Sequence, residues 1–347
     1  MQNETSRLWQ INQLFLFLGM LSVVFAVLKA ASAVIVPILI AGAIAILLSP
    51  LFGVLERRRV PRIVALIFVI ALSSLLLVAL GAFLSHEVQA FFSDSGNLTG
   101  QIQKTIDSSF AKLDGFGIHL EGPELRSMLH PGSIIAFFQG MLRQLGNQLS
   151  NIFLIIFMAA FIVMDSTYMP LKLKKVFAGK EAGLEAVMAF IDKIKTYFLI
   201  KAKVSIFTAV WALGVLWYYD IPYLYLWAAF AFFLNFIPVI GSILAAVPPV
   251  IIALIEQGAM TGVWVALWYL VINIVMGNMI EPSIMGRGLG LSATTIFLSM
   301  TFWGWMFGPA GMILSVPLSM GFQFLMLQYE ETKWVGFIMS DYKGETT

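Results

Sequence analysis

The chain contains no cysteine, which excludes disulfides, thiol nucleophiles and thiolate metal sites. Histidine is nearly as scarce: His86, His119 and His130 are the only three, with no i, i+4 pair to grip a metal. Charge is sparse too. Only 12% of the 347 residues are charged and the formal net charge is +2, too little to argue for a nucleic-acid partner. No GxxxxGK[ST] phosphate loop occurs, and "GRGLG" at 286–290 follows no strand, so neither ATP hydrolysis nor dinucleotide binding is expected. No enzymatic constellation is left, and no cofactor is implied.

What is abundant is hydrocarbon. Hydrophobic residues make up 60% of the chain and the mean hydropathy is +0.90, outside the range of a soluble domain. Apolar runs cover residues 8–28, 31–49, 63–84, 149–164, 204–219, 222–257, 259–280 and 292–328. Several reach the roughly 20 residues that a bilayer core of about 30 Å demands. The expectation is an all-α polytopic integral membrane protein. The first run is preceded by one base, Arg7, and followed at once by another apolar run, which favours a retained span over a cleaved signal.

The basic residues report topology. Arg57, Arg58, Arg59 and Arg62 fill the turn after the second run, and Lys172, Lys174, Lys175, Lys180, Lys193, Lys195, Lys201 and Lys203 crowd the segment before the fifth. By the positive-inside rule both segments are cytoplasmic, as are the N- and C-termini. Residues 85–148 then lie outside, where Ile102, Ile106, Phe110 and Leu113, and further on Ile134, Phe138, Met141 and Leu145, fall at helical spacing. Two or three amphipathic helices are expected there, to pack on one another, lie on the membrane or join subunits. Leu184, Val187, Met188, Ile191, Ile194 and Phe198 mark one face of a cytoplasmic helix. The division that follows is a three-span scaffold (1–84), an outer amphipathic segment (85–148), a fourth span with its cytoplasmic helix (149–203), a transport core (204–329) and a cytoplasmic tail (330–347).

The core carries helix breakers where no water can repair them. "NFIPVIGSILAAVPP" at 235–249 holds three prolines and a glycine, although proline costs about 3 kcal/mol in a helix interior. Residues 222–236 and 242–256 are each about 22 Å long as helices, too short for untilted spans, and a re-entrant hairpin fits them better. A second hairpin is expected at residues 293–306 and 312–328, which flank "FGPAG". "GSILAAVP" at 241–248 and "GMILSVP" at 311–317 share glycine, Ile-Leu and Val-Pro in order. Each hairpin follows one full span, 204–219 or 259–280, so the two units enter from opposite faces. The fold expected is about six full spans plus two re-entrant helical hairpins forming an inverted repeat.

Such hairpin tips expose backbone N–H and C=O groups that replace the water shell of a polar solute at mid-membrane. The candidate solute-binding residues are therefore Asn235, Pro238, Gly241, Ser242, Asn278, Gly308, Gly311 and Ser315. Asn235 can meet solute hydroxyls or satisfy carbonyls freed beside Pro238; Ser242, Ser315 and Ser319 can line a site or bond their own backbone. Trp303 and Trp305 suit pocket walls or interfacial anchors equally. Glu281 is an ionisable group near a membrane interior, a candidate for ion coupling, with pairing to Arg287 as the plain alternative.

"LNFIPVIGSILAAVPP" at 234–249, "GNMIEPSIMGRGLGLS" at 277–292 and "FWGWMFGPAGMILSVPL" at 302–318 resemble the autoinducer-2 exporter family. A fainter likeness runs through "VPILIAGAIAILLSPL" at 36–51 and "RRVPR" at 58–62, so nearly the whole chain is covered. The resemblance implies a bacterial cytoplasmic-membrane carrier, oligomeric and pentameric in the family, that moves a small uncharged signal by an elevator-like mechanism. Ser283 stands where that family usually carries arginine, which leaves Arg287 as the only base of its loop. Three functions are thus in play: export of a small polar uncharged solute such as autoinducer-2, sodium(lithium)/proton antiport using Glu281, and a non-transporting membrane scaffold.

Overall fold

Apolar runs with no water to satisfy their backbone must bond within themselves, and the described chain is helical throughout, with no strand among the described residues. The computed structural model describes residues 22–115, 152–285 and 290–341, with isolated positions among 16–20 and 132–140. Most of the first apolar run and of the second outer amphipathic stretch lie outside the described residues, as does Arg287. The helices are α1 (Ser32–Arg57), α2 (Arg62–Gly115), α3 (Ile152–Ser166), α4 (Met169–Val176) and α5 (Glu181–Tyr218). They continue as α6 (Leu224–Leu234), α7 (Ile240–Ile252), α8 (Ala259–Asn273), α9 (Glu281–Met285), α10 (Ala293–Leu327) and α11 (Lys333–Met339). Single π-helical stretches, Ala253–Gln257 and Ile274–Ile280, follow α7 and α8.

Six helices among the described residues are long and apolar enough to cross a membrane: Ser32–Arg57, Arg62–Asp94, Glu181–Tyr218, Ile240–Gln257, Ala259–Ile280 and Ala293–Leu327. Two of them run further than the apolar pattern suggested. α2 does not stop near Ser85 but continues to Gly115, 54 residues in all. At 1.5 Å per residue that is about 81 Å, far more than a bilayer core, so the helix projects well beyond it. α5 joins the amphipathic stretch at 184–198 to the apolar run at 204–219 without a break, because the buried stripe of the first passes directly into Lys201, Val204, Ser205, Thr208 and Ala212 of the second. After α3, the chain turns by 58° into α4.

α1, α2 and α3 pack through small residues, with Ala41, Ala45, Ala65 and Ala159 buried between them, the arrangement that lets helix backbones approach closely in lipid. A second cluster gathers α5, α6, α7 and α8 around Trp227, Phe230, Leu216 and Val265. A third joins Tyr197 and Phe198 of α5 to Leu314 and Met320 of α10, with Leu39, Ala43 and Leu47 of α1 against it. The end of the apolar span of α2 is tied to the second cluster by Phe91, edge-on to Trp227 at 5.4 Å, and by the Tyr223 hydroxyl, which donates to Asp94 at 2.6 Å. Burial and that carboxylate push the Tyr223 hydroxyl up from its ordinary value, so it remains a donor.

The helical course is interrupted at residues 235–239 and again at Gly308. Between α6 and α7 the reversal occupies residues 235–239 and closes with Ile240 N–H donating to the Pro238 carbonyl at 2.6 Å, around Val239 at φ 60°, ψ −59°. That is a γ-turn, a strained conformation for a β-branched residue. α10 is broken at Gly308, whose φ of 65° and ψ of −150° only glycine adopts easily. Its arms fold against each other: the Trp303 indole donates to Ser319 Oγ at 3.0 Å, although 16 residues of straight helix span about 24 Å. Both turns depend on a glycine one turn further on. A Cβ on Gly241 would lie 1.8 Å from the Leu234 carbonyl oxygen, and one on Gly311 would lie 1.9 Å from that of Trp303.

Candidate functional site

The first reversal, α5 and α8 border a small cavity of mixed character, lined by Thr208, Asn235, Ser242, Tyr269, Asn273 and Gly277, with Ala231, Ala245, Ile272 and Met276 as apolar wall. The helical periodicity of each element explains the set. Asn273 and Gly277 stand four residues apart on α8 and its π-helical extension, as do Ser205 and Lys201 on α5, with Thr208 on the same face. Gly277 leaves room for its neighbour, since a Cβ there would stand 3.3 Å from Asn273 Oδ1. π-Helical turns recur at functional sites because their looser ladder displaces side chains from the regular register.

No lining residue is charged. Asn235 donates from Nδ2 to Ser205 Oγ at 2.9 Å, and Ser242 reaches the Val239 carbonyl at 3.4 Å. The Thr208 and Tyr269 hydroxyls are buried without a hydrogen-bond partner, two of only three such side-chain groups among the described residues. A hydroxyl buried without a partner costs about 1–3 kcal/mol, so both side chains favour any polar group that reaches them. The cavity measures about 10 Å³, room for about one water. A solute of several heavy atoms enters only if the helices separate.

Below the cavity on α5 and the chain beyond α8, Lys201 and Glu281 form an ion pair, with Nζ 2.8 Å and 2.9 Å from the two carboxylate oxygens. Their side chains are only 8% and 17% exposed. The partner of Glu281 in the described structure is thus Lys201, 80 residues away in sequence.

The sequence candidates separate into groups. Asn235 and Ser242 reach the cavity; Pro238 and Gly241 shape the turn that brings them there. Asn278 is exposed and is not among the lining residues. Gly308 and Gly311 form the second reversal, and Ser315, fully buried, donates to the Met312 carbonyl at 2.7 Å, the backbone-bonding alternative considered for it. Ser319 is engaged by Trp303. Sequence reasoning missed Thr208, Tyr269, Asn273 and Lys201. Lys201 and Thr208 carry a signal in the sequence: polar residues on the apolar stripe of one long helix. No His, Asp or Glu cluster among the described residues suits a metal ion.

Residues 16–331 match the model of the AI-2E family transporters. The chain is 33% identical to the AI-2 transport protein TqsA of Escherichia coli K12, over 96% of this chain and 97% of that one. It is 29% identical to a putative transport protein of Haemophilus influenzae, over 98% and 99% of the two chains, and 28% identical to the putative transport protein YhhT of Escherichia coli K12, over 88% of each. A multi-pass helical chain with an uncharged polar cavity among its broken helices, matched by these relatives along nearly its whole length, belongs to the AI-2E transporter family.

Proposed function

We propose that this chain exports a small, polar, uncharged solute, autoinducer-2, across the bacterial cytoplasmic membrane in the service of quorum sensing. The observation that carries the reading is the cavity: amide and hydroxyl groups, two of them unpartnered, and no charged side chain. Such a lining matches a neutral hydroxylated molecule and penalises an ion, whose desolvation nothing there repays. The printed name of the Escherichia coli relative supports the choice of cargo.

The two reversals act as re-entrant hairpins of an inverted repeat. Three features support this: the shared Gly, Ile-Leu and Val-Pro order, the near-identical approach of Gly241 and Gly311 to a carbonyl of the preceding arm, and the long apolar helix before each unit. An elevator-like displacement of these units against the α1–α3 scaffold, within a homo-oligomer, would open the closed cavity to each side in turn. Antiport through Glu281 has no comparable support, because that carboxylate is held by both oxygens on Lys201. The decisive experiment is uptake of labelled autoinducer-2 into inverted membrane vesicles bearing the chain. Accumulation well above empty vesicles, reduced by Tyr269→Phe, is expected; uptake equal to empty vesicles overturns the reading.

A further inference from the structure

The Lys201–Glu281 pair has a position that packing alone does not require. Lys201, Ser205 and Thr208 form one buried stripe of α5, and Asn273 at the end of α8, with Gly277 and Glu281 beyond it, forms the facing stripe. The upper members of both stripes line or bond to the cavity lining, and the last members meet about one turn away, roughly 6 Å along each helix. The pair therefore bridges the two cavity-lining helices on the side that also bears Lys193, Lys195 and Lys203, the cytoplasmic side by charge.

We propose that Lys201 and Glu281 form a charge-selecting gate between the cytoplasm and the cavity. This rests on the cavity being the solute site. Two apolar side chains would seal that gap at lower desolvation cost than a nearly dry ion pair. An ion pair is a seal that the right solute can replace. Neighbouring hydroxyls on a neutral molecule accept from the Lys201 ammonium and donate to the Glu281 carboxylate, so both charges stay satisfied as the pair parts. An anion satisfies Lys201 and strands Glu281; a cation does the reverse. Glu281 follows directly on the π-helical stretch Ile274–Ile280, where the regular backbone ladder is loosened.

The test uses the absence of cysteine in the chain. Thr208→Cys is introduced as the only thiol, and a membrane-impermeant maleimide is applied from the cytoplasmic face in vesicles. With the pair intact, labelling is slow. Lys201→Met and Glu281→Gln each speed it by roughly tenfold or more, the response of an equilibrium tilted toward the open form. The swapped pair Lys201→Glu/Glu281→Lys returns the slow rate, which also shows that the singles failed at the gate and not in folding. Equal labelling in all four proteins, or a swap as open as the singles, overturns the proposal. Selection is read separately: Glu281→Gln admits a carboxylate analogue of the solute that the parent excludes, and its continued exclusion overturns the charge-selecting part. Labelling needs no cargo. Pair-dependent labelling without autoinducer-2 flux in the parent chain, which keeps Thr208, therefore rejects the export reading alone, whereas flux in that parent with pair-independent labelling rejects the gate alone.

Discussion

The two helical reversals share a design and differ in what they do with polar groups. Each places a glycine against a carbonyl of its preceding arm, so close that no side chain fits. At the second, polarity is spent internally: Ser315 bonds the Met312 carbonyl and Ser319 takes the Trp303 indole. At the first, Asn235 reaches across to Ser205 of α5, and Ser242 faces a cavity that leaves the Thr208 and Tyr269 hydroxyls unpartnered. The turns differ likewise. Gly308 relieves the second, whereas Val239 holds the first in a strained γ-turn. Internally satisfied polar groups stabilise a fold; unsatisfied or strained ones are retained where a ligand or a movement uses them.

The shared part breaks first. Gly241→Leu and Gly311→Leu each drive a side chain into backbone, a clash no rotamer relieves, and each is expected to cost more than about 3 kcal/mol. Thermal unfolding in detergent should show both losing the folded species; tolerance at either position would mean that its reversal is not closely packed. The difference between the two reversals appears next, in flux. Asn235→Ala should lower solute transport on the order of tenfold, the weight of one hydrogen bond of about 1.4 kcal/mol, while Ser315→Ala stays within about twofold. Equal losses would erase the distinction.

Two smaller effects have opposite signs in stability and transport. Tyr269→Phe and Thr208→Val remove orphaned hydroxyls with little change of shape, so each should raise the unfolding temperature by about 2 °C or more while lowering flux. A fall in both would mean that the hydroxyls have partners in the resting protein. Val239→Gly should relieve about 1 kcal/mol of backbone strain at the first turn, a slight rise in unfolding temperature, and the equivalent gain is unavailable at Gly308. A lower unfolding temperature for Val239→Gly would show that its side chain matters more than its backbone.

Local chemistry was enough to locate both reversals. Proline and glycine act on their own few residues, so "NFIPVIGSILAAVPP" and "FGPAG" by themselves mark the breaks found at 235–239 and at Gly308. Apolar run length likewise determined the all-helical, membrane-crossing character, since a bilayer sets one minimum length for any helix within it. Helix ends were less legible: α2 and α5 carry on through positions where hydropathy falls, because a helix continues wherever its backbone bonds are satisfied, in lipid or out of it.

The composition of the site was decided by tertiary structure alone. Asn235 meets Ser205 across 30 residues and Lys201 meets Glu281 across 80, and no periodicity within one element encodes which face of another it will oppose. In the sequence Lys201 is one more base in a cytoplasmic cluster; folded, it is a buried partner of the Glu281 carboxylate. Residue type and spacing determine what each helix can offer, and only the packing of helix against helix determines which offers meet, because burial and electrostatic pairing depend on distance in space and not along the chain.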